Sequence, residues 1–205
     1  GDLMNKAMAA AMGTMEVNAS MGLIVAAPTA GSCGILPGAI VTIGKEYGID
    51  DETMIDALFT ASAIGAIITR NATVSGAEGG CQAECGSAAA MGAAAVVEMM
   101  GGTPEMSLDA AAIVLKNILG LVCDPVAGLV EIPCAKRNAA GAISALCTAD
   151  LVMAGVSSKI PFDDTVSAMY RVGKSLPSEL RETAMGGVAV TKAGLILRKK
   201  VFGEE

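Results

Sequence analysis

Residues 81–100, with the sequence CQAECGSAAAMGAAAVVEMM, are the most informative stretch for the fold. Alanine and methionine favour the α-helix, and small side chains let neighbouring helices approach closely. Gly101, Gly102 and Pro104 then interrupt the run, as glycine and proline commonly do at the end of a helix. We therefore predict a helix over residues 81–100 that packs closely against its neighbours.

The rest of the chain alternates similar helical segments with loops that are rich in glycine and proline. Further helices are predicted at 3–20, 50–69, 107–121 and 137–154, with shorter ones starting at Pro161 and Pro177. Acidic residues at 50–52 complement the positive end of a helix dipole, and Ser107 is expected to cap the next helix. No alternation of the kind typical of strands is long enough to build a sheet, and no internal repeat is visible. We predict one compact all-α domain over residues 1–205, with functional loops at 28–38, 71–81 and 123–138.

Composition and charge restrict the possible functions. The chain has 205 residues, of which 53% are hydrophobic and 2% aromatic, so a large core is possible and some apolar surface is expected to be buried against a partner. The net charge of −7 argues against a nucleic-acid partner, because no basic stripe is available to neutralise phosphates. The one basic run, Arg198–Lys200, is interpreted as part of a solvated tail.

The sequence also suggests a cellular location. No leader-type segment is visible, and the apolar stretch from Ala57 to Thr69 is too short to span a bilayer, so it is interpreted as a buried core helix. We expect a cytoplasmic protein without a membrane partner. In a reducing cytoplasm, the six cysteines are expected to be free thiols or metal ligands rather than disulfides.

The chain contains no histidine. It therefore cannot by itself provide a histidine general base, a Ser–His or Cys–His dyad, or a histidine-ligated metal site. Most common catalytic designs are excluded on this ground, and the cysteines become the main candidates for chemistry.

The cysteines differ in their sequence context. Cys147 lies in an apolar helical run, so we expect it to pack in the core. Cys81 and Cys85 are four residues apart and could share one helical face, but the paired CxxC pattern of a zinc ribbon is absent. Cys123 and Cys134 each adjoin a proline and flank an apolar loop. Soft thiolates in an apolar shell suit an iron–sulfur cluster, although buried free thiols remain an alternative on the spacing alone.

Several motifs resemble a known family, the iron–sulfur-dependent L-serine dehydratase α chain. They are PTAGS (28–32), GGCQAE (79–84), LGLVCDPVAG (119–128), VEIPC (130–134) and KRN (136–138). The resemblance extends from near residue 10 to about residue 187. It implies dehydration and deamination of L-serine to pyruvate and ammonium, as in serine catabolism and gluconeogenesis. It also implies a β chain as partner and assembly as a homo-oligomer.

The resemblance further implies which residues bind the cofactor. Cys81, Cys123 and Cys134, separated by 42 and 11 positions, match the three cysteines that hold a [4Fe-4S] cluster in that family. Cys33 and Cys85 fall outside this set. Three protein ligands leave one iron of the cluster open, and an open coordination position acts as a Lewis acid.

Candidate substrate-binding residues lie beside these motifs. Thr29 and Ser32, with the amides around Gly31, could bind the substrate carboxylate, because exposed loop N–H groups form anion sites. Asn71 and Ser75 could bind the amino or hydroxyl group of the substrate. Lys136 and Arg137 lie beside a predicted ligand, so their positive charges could offset the negative charge of the cluster and the substrate. Helix capping by the four polar residues, and pairing of Arg137 with Glu131, are alternative roles.

The general base is expected to lie outside this chain, and Lys136 is the one weak candidate within it. Family α chains also carry an N-terminal Ser-His-Ser-Gly-Leu-Thr-Gly-Gly-type stretch that this sequence lacks, so we expect no turnover unless that segment and a β chain are both supplied. Two alternatives remain open. One is a related cluster-dependent lyase, a cysteine desulfidase or threonine dehydratase, and the other is a non-catalytic helical interaction module whose cysteines are merely buried.

Overall fold

Nine α-helices account for most of the computed structural model, which describes residues 1–204, and no β-strand occurs in that range. The helices are α1 Asp2–Ala19, α2 Thr42–Tyr47, α3 Asp51–Asn71, α4 Gly76–Gly79, α5 Cys81–Met99, α6 Pro104–Asn117, α7 Cys134–Met153, α8 Phe162–Ser175 and α9 Lys192–Phe202. Short 3-10 turns occur at Ala30–Ser32, Val126–Gly128, Ser178–Leu180 and Gly187–Val190, and a π-helical turn at Pro37–Val41. The all-α prediction is confirmed.

Helix α5 is the centre of the fold, and every residue in it except Glu98 is buried. It packs against α3, α6 and α7, and its small residues make this possible. A Cβ atom on Gly86 would lie 2.7 Å from Cδ1 of Ile118, and one on Gly92 would lie 3.4 Å from Cβ of Ala145 in α7. The close helix packing expected from residues 81–100 is therefore observed, because a Cβ atom would overlap Ile118 at Gly86 and would already reach van der Waals contact at Gly92.

Helix starts show where local signals were interpreted correctly and where they were not. Helix α3 begins beside the acidic residues 50–52 as predicted, and Asp50 is its cap, since its Oδ1 accepts a hydrogen bond from the N–H of Thr53 over 2.8 Å. The prediction that Ser107 caps α6 is wrong. Thr103 is the cap and Pro104 is the first helical residue, a position where the missing N–H of proline costs nothing. Ser107 lies inside the helix and donates a hydrogen bond to the carbonyl of Ala94 over 3.1 Å.

Four segments are more helical than the sequence suggested. Helix α7 begins at Cys134, three residues before the predicted start, and α2 was not predicted at all. The basic run Arg198–Lys200 is exposed but belongs to helix α9, so its interpretation as a tail is wrong. Part of the predicted loop at 28–38 is also helical, because Pro37 lies in the first turn of its segment, where proline is tolerated.

Helix α3 is longer and more exposed than predicted. Within residues 1–204 it is the one helix long and apolar enough to cross a membrane by length and composition alone, and 28% of its most apolar window is buried. The prediction of a core helix is confirmed for one face of α3, where Ala57, Ala61, Ile64 and Ile68 are buried. Phe59, on another face, is 70% exposed.

Candidate metal centre

Two of the predicted cysteine ligands are the first residues of long helices. Cys81 begins α5 and Cys134 begins α7, and the two helices pack against each other with these ends on the same side. The side chains are buried, at 1% and 5% exposure. The N-terminus of a helix carries a partial positive charge, which complements a thiolate at each of these two positions.

The third cysteine, Cys123, lies in an extended segment between α6 and α7 and is 2% exposed. Its backbone is held from both sides by a segment far away in the chain. The N–H of Cys123 donates to the carbonyl of Leu180 over 2.9 Å, and the N–H of Glu182 donates to the carbonyl of Cys123 over 2.8 Å. These two bonds form an isolated parallel bridge between Cys123 and Arg181.

Asp124 and Arg137 tie this segment to α7. Arg137 donates to Oδ1 of Asp124 and to the carbonyl of Val122, each over 2.9 Å. Oδ2 of Asp124 accepts a hydrogen bond from the N–H of Val188 over 2.7 Å. The alternative pairing of Arg137 with Glu131 is therefore wrong, and Glu131 is exposed. A single buried carboxylate thus joins the loop that carries Cys123, the start of α7 and the C-terminal segment.

The electrostatics of the thiols differ from one cysteine to the next. A hydrogen bond from Cys85 lowers the pKa of Cys81, with help from the positive charge of Arg137. Burial raises the pKa of Cys134 to about 12, with the neighbouring Cys81 thiolate acting in the same direction. Burial and the Cys81 charge likewise raise the pKa of Cys123 well above its ordinary value. Cys81 is therefore the most readily ionised of the three thiols, and ionising all three requires a positively charged partner.

Glu84 is a buried carboxylate beside these cysteines that the sequence analysis did not select. Its Oε1 accepts a hydrogen bond from the hydroxyl of Thr29 over 2.5 Å. A Cβ atom on Gly76 would lie 3.1 Å from Sγ of Cys123, 3.2 Å from Oε2 of Glu84 and 3.3 Å from Oε2 of Glu182. These three groups therefore gather around the backbone of Gly76. The available signal was an acidic residue three positions after Cys81 in a helix made mostly of small apolar residues.

The structure brings some of the predicted substrate-binding residues close to this group. The hydroxyl of Thr29 is shared between Glu84 and Ser32, whose Oγ lies 3.0 Å away. The Asn71 amide donates to the carbonyl of Ile67 in its own helix over 2.8 Å and is exposed. Ser75 precedes α4 without a capping bond from its side chain. The substrate-binding roles of these four residues stay predictions.

Lys136 and Cys147 lie away from the cysteine group. Lys136 is exposed and lines a cavity of about 480 Å³ together with Glu131 and Met12. Cys147 is exposed on α7, so the prediction that it packs in the core is wrong. Its sequence neighbours Leu146 and Thr148 are buried, and Cys147 itself falls on the outer face of the helix.

The most voluminous cavity described lies elsewhere and is mainly apolar. It measures about 920 Å³ and is bounded by α1, the segment Leu23–Ala27 and α3, with Cys33 in its wall. Cys33 is buried, 3.7 Å from the sulfur of Met15. The convergence of thiols and carboxylates, rather than cavity size, marks the candidate site.

Comparison with known proteins agrees with this arrangement. The family model for the serine dehydratase alpha chain matches residues 1–189, which include all three cysteines and Glu84. The chain belongs to the serine dehydratase alpha chain family. The chain is 55% identical to a probable L-serine dehydratase alpha chain of Bacillus subtilis, over 99% of this chain and 68% of that protein.

Two further relatives of the serine dehydratase alpha chain family carry the same description. An L-serine dehydratase alpha chain of Peptoniphilus asaccharolyticus is 56% identical over 100% of this chain and 70% of its own length. A probable L-serine dehydratase alpha chain of Latilactobacillus sakei is 53% identical over 100% of this chain and 98% of its own length. The similarity therefore extends beyond residue 189 and includes the segment that contacts Cys123 and Asp124.

Proposed function

We propose that this chain is the α subunit of an L-serine dehydratase, which converts L-serine to pyruvate and ammonium. The observation that carries the proposal is the convergence of Cys81, Cys123 and Cys134 at one end of the α5–α7 pair in a member of this family. The related proteins described above are named for this reaction.

The proposed cofactor is a [4Fe-4S] cluster bound by these three cysteines. Its donor set fits, because the thiols are buried, two of them begin helices, and Arg137 adds a positive charge beside Cys81. Gly76 leaves space next to the Cys123 sulfur that any side chain would fill. Among residues 1–204, no three Cys, Asp or Glu side chains are placed to bind a single metal ion. When bound, the cluster supplies a Lewis acid that makes the substrate hydroxyl a better leaving group.

The residues of this chain position the substrate and exclude water. The buried site limits access of solvent, and the Asp124–Arg137 pair fixes the segment that carries Cys123. A base removes the Cα proton of L-serine, and the hydroxyl group leaves as water. The resulting aminoacrylate tautomerises to an imine, and one water molecule hydrolyses the imine to pyruvate and ammonium. The base is assigned to a histidine outside these 205 residues, either in the N-terminal α segment of the family or in the β chain, because this chain has no histidine.

Assembly and location complete the proposal. The β chain is the expected partner. We expect the resulting α–β unit to form a homo-oligomer and to function in the cytoplasm. Exposed apolar side chains support a partner surface, and Leu23 and Phe59 are 96% and 70% exposed. Six free thiols agree with a reducing compartment.

An anaerobic reconstitution experiment tests the proposed function. The chain is loaded with iron and sulfide, mixed with the β chain, and assayed for pyruvate from L-serine, L-threonine and L-cysteine. We expect a brown protein that forms pyruvate from L-serine once the β chain and the N-terminal α segment of the family are supplied. Preferred turnover of threonine or cysteine would instead indicate a related lyase. A colourless protein with no activity would favour the interaction module.

A further inference from the structure

The carboxylates of Glu84 and Glu182 lie beside the cysteine group without a cationic partner. The ion pairs of residues 1–204 are Lys6–Asp2, Lys6–Glu46 and Arg137–Asp124, so neither glutamate belongs to one. Arg137, the cation at this site, is already engaged by Asp124 and the carbonyl of Val122. Glu84 is buried, and burying a carboxylate without a cation is unfavourable, so the position of Glu84 requires a reason.

Glu84 is held in a fixed position. Its side chain is 9% exposed, Thr29 donates a hydrogen bond to Oε1, and the Gly31 backbone packs against the same oxygen. A Cβ atom on Gly31 would lie 2.6 Å from that oxygen. The other oxygen, Oε2, faces the space around Gly76 that Cys123 and Glu182 also face. Glycine at both positions leaves this carboxylate accessible to a small group beside the thiols.

A bound cation would complement the two carboxylates that face the space around Gly76. Two carboxylates face this space, whereas the guanidinium of Arg137 is already paired with Asp124, so the space favours a positively charged group over an anion. Burial and the charge of Glu182 both raise the pKa of Glu84, which agrees with two carboxylates that face each other without a cation. A primary ammonium group donates three hydrogen bonds and could contact both carboxylates.

We propose that Glu84, together with Glu182, binds the α-ammonium group of the amino-acid substrate and selects for substrates that carry it. This inference rests on the proposed function and adds a residue that determines specificity. In this arrangement, Thr29 orients Glu84 instead of binding the substrate carboxylate. The substrate's ammonium group is held near Gly76, with its reacting carbons close to the cysteine group.

Two unreactive ligands separate this role from a structural one. L-alanine keeps the ammonium and carboxylate groups of serine, and 3-hydroxypropionate keeps the hydroxyl and carboxylate groups but lacks the ammonium. Binding of each is measured by calorimetry on the cluster-loaded α–β holoenzyme, and as competitive inhibition of pyruvate formation. Loss of one charge-assisted hydrogen bond weakens binding by about tenfold to a hundredfold.

We expect Glu84→Gln to weaken L-alanine binding and raise the KM for L-serine by this factor, while 3-hydroxypropionate binds within about twofold of wild type. Glu182→Gln is expected to have a smaller effect in the same direction, because Glu182 is exposed. This second variant also provides the test if Glu84→Gln does not fold. Glu78→Gln, an exposed glutamate of the neighbouring helix α4, is the matched control and should change neither constant.

Each other outcome has a defined meaning. Unchanged L-alanine binding in both glutamate variants would overturn the inference and leave the proposed function intact. Equal weakening of both ligands, or loss of iron in Glu84→Gln, would also overturn it, because it would assign Glu84 a structural role. A wild-type holoenzyme that forms no pyruvate from L-serine would instead refute the proposed function and, with it, this inference.

Discussion

Arg137 donates a hydrogen bond to the buried carboxylate of Asp124 over 2.9 Å, and this ion pair connects the first turn of α7 to the segment that carries Cys123. The side chains are 18% and 3% exposed. Removing one partner from a buried pair costs more than the pair contributes, because the remaining charge is left without compensation. The pair is therefore expected to be the most sensitive electrostatic contact near the site.

We predict that Asp124→Ala lowers the free energy of unfolding by about 3 kcal/mol. The change leaves the Arg137 guanidinium and the N–H of Val188 without their acceptor. Urea denaturation of the metal-free protein measures the effect. Asp2→Ala removes an exposed ion pair with Lys6 and serves as the control, for which we expect little change. Equal stability of the two variants would contradict the prediction.

Gly187 is predicted to be intolerant of any side chain. Its φ angle is +59°, and a Cβ atom there would overlap Oδ2 of Asp124. Gly48 has a similar φ of +65°, and a Cβ atom there would have no other atom within 4 Å. Gly48→Ala therefore reports the backbone strain alone, about 1 kcal/mol. We expect Gly187→Ala to be destabilised clearly more than Gly48→Ala in thermal denaturation. Equal losses would show that Asp124 moves aside freely.

The ligand set makes a prediction for cluster assembly. Cys123→Ser and Cys134→Ser should each lose the cluster, whereas Cys147→Ser should retain it because Cys147 is exposed on α7 away from the site. Cys85→Ala should also retain the cluster, since Cys85 is assigned as a hydrogen-bond donor to Cys81 and not as a ligand. Iron and sulfide content after anaerobic reconstitution is the measurement. Loss of iron in Cys85→Ala would add a fourth thiol to the set.

Thiol labelling of the metal-free protein should show strong selectivity. Cys147 is exposed and the other five cysteines are buried. Raised pKa values for Cys123 and Cys134 leave fewer thiolates at neutral pH, and only the thiolate reacts. We expect one thiol to react rapidly with a disulfide reagent and the rest to react on unfolding. Rapid labelling of Cys147→Ser would contradict the structure around the site.

Lys136 is predicted to be dispensable for catalysis. It is exposed and lines a cavity bounded by Glu131 and α1, not the group around Gly76. We expect Lys136→Met to leave kcat of the α–β holoenzyme within about twofold, because no proton transfer depends on it. Steady-state pyruvate formation is the measurement. A large loss of kcat with an unchanged KM would restore Lys136 as a candidate base.

Much of the fold could be predicted from the sequence because local signals are strong in this chain. The small residues of 81–100 predicted the central helix, and Asp50 predicted the start of α3. Signals that depend on position within a turn were less reliable. Pro104 and Pro37 were interpreted as helix breakers although each lies in the first turn of a helical segment. A proline that ends one helix cannot be distinguished from a proline in the first turn of the next without the backbone geometry on either side.

The candidate site was only partly predictable. The three cysteines followed from family motifs, but the contacts that hold Cys123 involve residues near 181 and 188 that no local pattern connects to it. Glu84 was overlooked because its environment comes from Thr29, Gly31 and Gly76, which are brought together only by the fold. Cys147 was misplaced because the apolar character of its neighbours does not specify which side of α7 is covered.

The bridge between Cys123 and Arg181 also has a consequence for the order of events during biosynthesis. Cys81, Cys123 and Cys134 leave the ribosome well before the residues that hold the Cys123 segment in place. Until residues 180–188 have emerged, the nascent chain carries three thiols without their final support. Cluster insertion is therefore expected to follow translation of this segment, and a stalled or clipped chain would expose its cysteines to oxidation before they could bind iron.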